Sequence, residues 1–127
     1  MSVEENKAFI RRYLEAISGK PKTPQLMDRF VADGELQKHI VQAEEAFPSY
    51  FLDMNEIIAE GDLVSVRGVV RGVHKGPFQG IPPTGKEVAF GLFITYRIAG
   101  GKIVDHWMLV DSLSLMQQLG AMPAPVH

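Results

Sequence analysis

Cysteine is absent from this chain of 127 residues, which excludes disulfide bonds, thiolate catalysis and cysteine-ligated metal sites. The four histidines stand at positions 39, 74, 106 and 127, and this scattering does not have the spacing of a metal site. Glycine-rich phosphate loops, Gly-x-Ser-x-Gly elbows and dinucleotide fingerprints are also missing. The sequence therefore offers no metal site and no motif for a nucleotide or an activated serine.

A basic excess and long apolar runs are missing as well. The net charge of -2 and the pI near 6.1 give no electrostatic basis for binding nucleic acid. No apolar run approaches the roughly 20 residues of a membrane span, and the polar, acidic start is unlike a secretory signal. We expect a cytoplasmic protein that binds neither nucleic acid nor membranes.

The first half of the chain has helical spacing. Ser2 and Glu5 form a capping-box pattern, and Gly19 ends the apolar stripe that follows. Pro24 stands at the first position of a second helical segment. The predicted helices run from 2 to 18, from 24 to 33 and from 41 to 52, the last bent near Pro48. Residues 35–40 are ambiguous, with extended structure as one alternative.

The second half changes to the period of strands. Strands are predicted over 54–59, 63–74, 86–98 and 102–110, with a Gly- and Pro-rich loop over 75–85 and a terminal helix over 112–119. Helices followed by hairpin-linked strands predict an α+β fold with helices on one face of an antiparallel sheet. We expect one domain over residues 1–120 and a short tail over 121–127.

Both faces of the strand predicted over 86–98 are apolar. One face can pack on the helices, and the other is left open unless a second subunit covers it. We therefore expect a homodimer through the sheet face.

Asp111 is the first candidate for a catalytic residue. Strict alternation places it on one side of the last strand with Ile103, Asp105, Trp107 and Leu109. Apolar neighbours would raise its pKa toward the range useful for proton transfer. The alternative is that Asp111 caps the terminal helix, where aspartate is favoured.

The other polar candidates each have a plain structural alternative. His106 alternates with Trp107 and is expected on the opposite face, as a surface or dimer-face residue, unless a bulge intervenes. His39 falls in the ambiguous segment and either faces a substrate or lies in an exposed loop. His74 ends the long strand and is expected to stabilise a turn or to lie at the rim of the site. Arg67 either lies on a solvated face or turns inward to pair with Asp111 and hold it ionised.

Aromatic side chains supply the expected walls of a cavity, because a pocket for a flat ligand needs such surfaces. The candidates for ligand contacts are Tyr13, Phe47, Phe51, Arg67, Phe93 and Trp107.

Three stretches carry a resemblance to a known family: His74 to Lys86, Tyr96 to Trp107, and Asp111 with Leu115-Met116-Gln117-Gln118-Leu119-Gly120. In order and spacing they resemble the SnoaL-like polyketide cyclases of the nuclear-transport-factor-2-like superfamily. The resemblance implies a cone-shaped α+β fold, with N-terminal helices packed on a curved mixed or antiparallel sheet. It also implies ring closure by intramolecular aldol condensation without metal or organic cofactor, with the family's catalytic aspartate at Asp111.

The resemblance thus predicts a cofactor-free cyclase acting on a small apolar, polyketide-like ketone. Asp111 would remove a proton alpha to a carbonyl, and His39 would polarise the receiving carbonyl or reprotonate the product. Two alternatives stay open. In the first, Asp111 is held by Arg67 and directs water in an epoxide hydrolase or isomerase reaction. In the second, the protein binds a small molecule without transforming it.

Overall fold

The computed structural model describes residues 2–122, and it confirms the predicted α+β architecture. The elements in chain order are α1 (Val3–Ile17), α2 (Pro24–Phe30), α3 (Gly34–Ala46), β1 (Phe51–Glu60), β2 (Leu63–Val73), β3 (Glu87–Ala99), β4 (Lys102–Val110) and α4 (Ser112–Gln118). Of the expected tail, Ala121 and Met122 are described, while residues 123–127, and with them His127, lie outside the described residues.

The four strands form one antiparallel sheet in the order β1-β2-β3-β4. Even-numbered residues of β3, from Val88 to Ile98, are buried and face the helices. The odd-numbered residues mostly face solvent on the outer face. The core therefore lies between the inner face of the sheet and the helices, chiefly α1 and α3.

Helix α3 begins at Gly34, so the prediction that left residues 35–40 ambiguous is corrected. The Asp33 side chain accepts hydrogen bonds from the backbone N–H groups of Glu35 (3.0 Å) and Leu36 (3.3 Å), which nucleates the helix at this point. The helix ends at Ala46, just before Pro48, and does not continue to residue 52. Phe51 already begins β1. At the N-terminus, the capping box of Ser2 and Glu5 is confirmed.

Strand β4 contains a bulge that strict alternation does not anticipate. Arg97 of β3 pairs with Asp105 and the next residue, Ile98, pairs with Ile103, so Val104 has no cross-strand partner. The carbonyl of Ile103 accepts hydrogen bonds from the backbone N–H groups of Ala32 (2.8 Å) and Asp33 (3.1 Å). The extra residue reverses the facing of every later residue of β4 relative to Ile103.

The loop over residues 75–85 is tied to the end of α3. The backbone N–H groups of Lys75 and Gly76 both donate to the carbonyl of Ala46, at 3.0 and 3.2 Å. A side chain at Gly76 would overlap the backbone carbonyl of Glu45. This close approach holds the loop, and Phe78 within it, against the core.

We expect Gly76→Ala to lower the free energy of unfolding by about 1–3 kcal/mol, because backbone atoms must move apart to admit the methyl group. Gly91→Ala is the matched control, since a Cβ at this exposed strand position meets no other described atom within 4 Å. Urea denaturation of both variants measures the difference. Equal stability of the two variants would show that the contact at Gly76 is not tight.

Candidate functional site

A cavity of about 280 Å³ lies between the helices and the inner face of the sheet. This volume is near the lower end of the range of about 300–1,000 Å³ for small-molecule pockets. Helices contribute Tyr13, Ile17, Leu36, His39, Ile40, Gln42, Ala43 and Leu115 to the lining. The sheet and loops contribute Phe47, Tyr50, Leu52, Val70, Phe78, Gln79, Phe90, Leu92, Ile94, Tyr96, Met108 and Val110.

No aspartate, glutamate, lysine or arginine lines the cavity within the described part of the chain. Its polar side chains are two amides, one imidazole and three phenols. His39, Gln42 and Gln79 are exposed as well as cavity-lining, so they mark the mouth. The interior is therefore suited to an apolar ligand that enters past a polar rim.

All three tyrosines of the chain line this cavity. Each is at least 95% buried: Tyr13 is 2% exposed, Tyr50 is 5% exposed and Tyr96 is 1% exposed. Tyr13 and Tyr96 meet edge to face, with ring centroids 5.9 Å apart. Burial raises the pKa of all three phenols above the ordinary value, so the hydroxyls stay protonated at neutral pH.

Lys22 holds Tyr50 in place from outside the cavity. Its ammonium group is buried and donates to the backbone carbonyls of Tyr50 (2.6 Å) and Lys20 (2.8 Å). The same group lies 3.9 Å from the centroid of the Tyr50 ring, a cation–π arrangement. Burial lowers the pKa of Lys22 to about 8, against the opposing effect of the Glu44 carboxylate.

His106 faces the helices, and the prediction of a surface or dimer-face histidine is corrected. Its side chain is 10% exposed, and its Nδ1 lies 2.6 Å from Oδ2 of Asp33. The ring of His39 approaches the His106 ring edge to face, with centroids 5.6 Å apart. The bulge in β4 is the reason, because it turns His106 inward.

The Asp33 carboxylate joins two elements of the fold, α3 and β4. Oδ1 caps α3, while Oδ2 accepts the hydrogen bond from His106. Burial favours the neutral acid, but the hydrogen bonds from His106 and from the backbone of Leu36 and Glu35 outweigh it and lower the pKa of Asp33. The carboxylate is therefore ionised at neutral pH and fixes the His106 ring beside His39, at the mouth of the cavity.

The bulge also corrects the facing predicted for Trp107. Met108 and Val110 line the cavity, whereas Trp107 and Leu109 lie on the outer face, 50% and 76% exposed. Trp107 packs against Arg97 of the neighbouring strand, whose guanidinium carbon lies 5.2 Å from its ring centroid. The apolar side of β4 predicted to include Trp107 and Asp111 is thus not the side that faces the cavity.

Asp111 is exposed and caps α4. Its Oδ1 accepts a hydrogen bond from the backbone N–H of Ser114 at 3.0 Å, the alternative weighed from the sequence. It does not line the cavity, although the preceding residue, Val110, does. Its catalytic role stays a prediction.

Phe51, Arg67 and Phe93 lie on the outer face of the sheet. Phe93 is 62% exposed, and Phe51 is covered in part by the guanidinium of Arg71. Arg67 pairs with Glu56 on the neighbouring strand and not with Asp111. Of the six ligand contacts predicted from the sequence, Tyr13 and Phe47 line the cavity, and the candidate catalyst His39 lines it too.

His74 is fully buried behind the cavity wall. Its Nδ1 accepts a hydrogen bond from the backbone N–H of Thr84 (3.2 Å), which ties the two ends of the loop together. Its ring lies against Phe47, with centroids 5.6 Å apart. Its position agrees with the turn-stabilising alternative considered from the sequence.

Cavity-lining residues outside the predicted ligand contacts include Tyr50, Tyr96, Phe90, Met108 and Val110. The sequence carried a signal for Tyr96, which alternates along its strand with Phe90, Leu92 and Ile94 on one apolar face. Because both faces of this strand are apolar, alternation alone does not identify the face of Phe90 as the one that lines a cavity. Met108 and Val110 could not be found without the bulge.

Among residues 2–122, no group of three or more His, Asp or Glu side chains is placed to hold a metal ion. No helix in the same range is long and apolar enough to cross a membrane.

Comparison with known proteins agrees with this architecture. The family model of SnoaL-like polyketide cyclases matches residues 9–119. AclR of Streptomyces galilaeus, a candidate hydroxylase, is 27% identical, with a TM-score of 0.84 over 98% of this chain and 87% of AclR. A candidate SnoaL-like polyketide cyclase from Jannaschia sp. CCS1 is 20% identical, with a TM-score of 0.81 over 95% of both chains.

A SnoaL-like polyketide cyclase from Agrobacterium tumefaciens is 19% identical, with a TM-score of 0.72 over 94% of this chain and 100% of that one. A comparison with curated proteins finds no match. With most of its length matched by the family model and the fold shared with these structures, the chain belongs to the SnoaL-like polyketide cyclase family.

We expect Asp33→Ala to lower the free energy of unfolding by about 2 kcal/mol at neutral pH, since it removes a helix cap and a charge-assisted hydrogen bond. Asp111→Ala, which removes a cap alone, is the control and should cost about 1 kcal/mol or less. Urea denaturation measures both.

The contribution of Asp33 to the free energy of unfolding depends on pH with a definite sign. The pKa of Asp33 is lowered in the folded protein, so its contribution is present above the unfolded value of 3.8 and is lost as the pH falls through the folded value. The extra stability of the native chain over Asp33→Ala should therefore shrink on acidification. An equal loss for both variants at neutral pH would rule out the tie to His106.

Proposed function

We propose that this protein binds a flat, apolar, polyketide-like small molecule in the cavity between the helices and the sheet. The observation that carries the proposal is the cavity lining, which has aliphatic and aromatic walls and no charged side chain among the described residues. Burial of apolar ligand surface there contributes roughly 25 cal/mol per Å². A charged ligand would lose its hydration without gaining an opposite charge.

Family membership supports the same ligand class. The family is described as polyketide cyclases, and a ketone built on fused aromatic rings is flat and largely apolar. The polar mouth formed by His39, Gln42 and Gln79 gives such a ligand a route inward.

Fluorenone, a flat aromatic ketone, serves as the probe of this proposal. We expect the native chain to bind it, and Ala43→Trp to weaken binding by about 10-fold or more by filling the cavity. Val41→Trp, two residues away on α3 at an exposed position that does not line the cavity, should bind as the native chain does. Isothermal titration calorimetry measures all three, and a native chain that is folded but binds no fluorenone would contradict the proposal.

A second candidate function is ring closure by intramolecular aldol condensation. Family membership favours it, together with the position of His39 in the lining and of Asp111 directly after cavity-lining Val110. In this reaction Asp111 takes the proton alpha to one carbonyl, and the enolate carbon forms a bond to a second carbonyl carbon. The new alkoxide then takes a proton from His39.

Asp111→Asn separates this second function from helix capping, because asparagine caps helices as well as aspartate does. If Asp111 transfers the proton, the variant keeps its stability but loses about 100- to 10,000-fold in the rate of ring closure. If the protein only binds, the variant keeps both its stability and its affinity for fluorenone. Mass spectrometry of a diketone substrate incubated with each variant gives the rate.

We also propose that a second copy of the chain covers the outer face of the sheet. Ile58, Phe93, Trp107 and Leu109 are each at least half exposed, and Phe93 and Leu109 are cross-strand partners. The ion pairs Arg67–Glu56 and Arg97–Asp105 border this patch with both signs of charge. A patch that carries both signs can meet its own copy across a twofold axis without net repulsion.

Phe93→Glu should convert the dimer into a monomer, because it places a carboxylate in the middle of the apolar patch. Val41→Glu, at an exposed apolar position on α3, should leave the assembly unchanged. Sedimentation velocity distinguishes the two states. A native chain that sediments as a monomer would overturn this part of the proposal.

A further inference from the structure

The three tyrosine hydroxyls have no hydrogen-bond partner in the part of the chain that the structure describes. Among the side-chain nitrogen and oxygen atoms of residues 2–122, His74 Nε2 is the one that has neither a hydrogen-bond partner nor accessible surface. Each phenol oxygen, which also lacks a partner, therefore keeps some accessible surface. Tyr13, Tyr50 and Tyr96 are nearly buried and all line the cavity, so the cavity is the open space that borders their side chains.

The three phenol-bearing residues line one cavity. Tyr13 and Tyr96 are in edge-to-face contact, and Tyr50 lines the same cavity. They come from different elements: α1, β3 and the turn before β1. The fold thus brings together three donors in an otherwise apolar space.

Each ring is fixed by its surroundings. Tyr13 packs between Phe30 and Tyr96, with ring centroids 5.6 and 5.9 Å away. The buried ammonium of Lys22 holds both the carbonyl and the ring face of Tyr50. Rings held in this way lose little conformational entropy when their hydroxyls bind a ligand.

We propose that the hydroxyls of Tyr13, Tyr50 and Tyr96 form a donor site for a carbonyl oxygen of the bound ligand. The inference rests on the proposed function and narrows its ligand class to aromatic ketones and quinones. A carbonyl oxygen has two lone pairs and accepts hydrogen bonds from neutral donors without bringing a net charge into the cavity. A carboxylate or phosphate would need a cation in the lining, and the described lining has none.

Fluorenone and fluorene test the inference, because they share one flat shape and differ in the carbonyl oxygen. We expect the native chain to bind fluorenone more tightly than fluorene. At least two of the variants Tyr13→Phe, Tyr50→Phe and Tyr96→Phe should weaken fluorenone binding by roughly 2- to 10-fold, and all three should leave fluorene binding unchanged. Phe78→Leu, a change in the apolar wall, is the control and should weaken both ligands alike.

The carbonyl stretch of bound fluorenone gives a second, independent readout. Hydrogen bonds to the oxygen lower this infrared frequency, so it should lie lower in the native chain than in the triple Tyr→Phe variant. The variants remove one oxygen each and no apolar surface, and circular dichroism checks that they are folded.

The outcomes separate this inference from the proposal on which it rests. If fluorenone and fluorene bind equally, and the Tyr→Phe variants change neither affinity nor frequency, the donor site is overturned while the apolar cavity stands. If the native chain binds neither compound, both ideas fail together. A ketone preference that disappears in the triple variant supports the donor site.

Discussion

One extra residue in the last strand decides which side chains meet the cavity. Val104 has no cross-strand partner, and this bulge allows Ile103 to stay in the core while His106, Met108 and Val110 also face inward. The bulge is fastened by the N–H groups of Ala32 and Asp33, which both donate to the carbonyl of Ile103. Without it, Trp107 and Leu109 would fill the space, and the cavity would have a different wall.

The polar groups of the site lie at two depths, the mouth of the cavity and its interior. The histidine pair and the glutamine side chains are at the mouth, with Asp33 holding His106 through an ionised carboxylate. The three neutral phenols are inside, and every charged side chain among the described residues stays out of the lining. Lys22 does not line the cavity, but its buried ammonium contacts the backbone carbonyl and the ring face of Tyr50 and so holds that residue in place. This distribution is the basis of our proposal that the ligand is neutral and carries a polar oxygen.

Much of the fold could be predicted from the sequence because helix caps, hairpin turns and strand periods are local signals. The Ser2–Glu5 capping box and the four strands are examples, and the family resemblance is confirmed over residues 9–119. The facing of β4 could not be predicted, since its bulge depends on a contact with residues 32–33, some seventy positions earlier in the chain. Strict alternation therefore places Trp107 on the inner side of β4 and His106 on the outer side, the reverse of their positions in the structure. Arg67 was left undecided for a similar reason, because its partner Glu56 becomes a neighbour through the pairing of β1 with β2.

Strand β3 runs between two environments, with even-numbered residues such as Leu92 and Ile94 in the cavity and odd-numbered ones such as Phe93 on the outer face. Each side chain of β3 lies either on the inner face or on the outer face of the sheet. A substitution at an even position can therefore reshape the pocket without altering the outer surface, and one at an odd position can alter the surface without reshaping the pocket. Sequence changes that affect the cavity lining and sequence changes that affect the outer surface can therefore arise independently within this one strand.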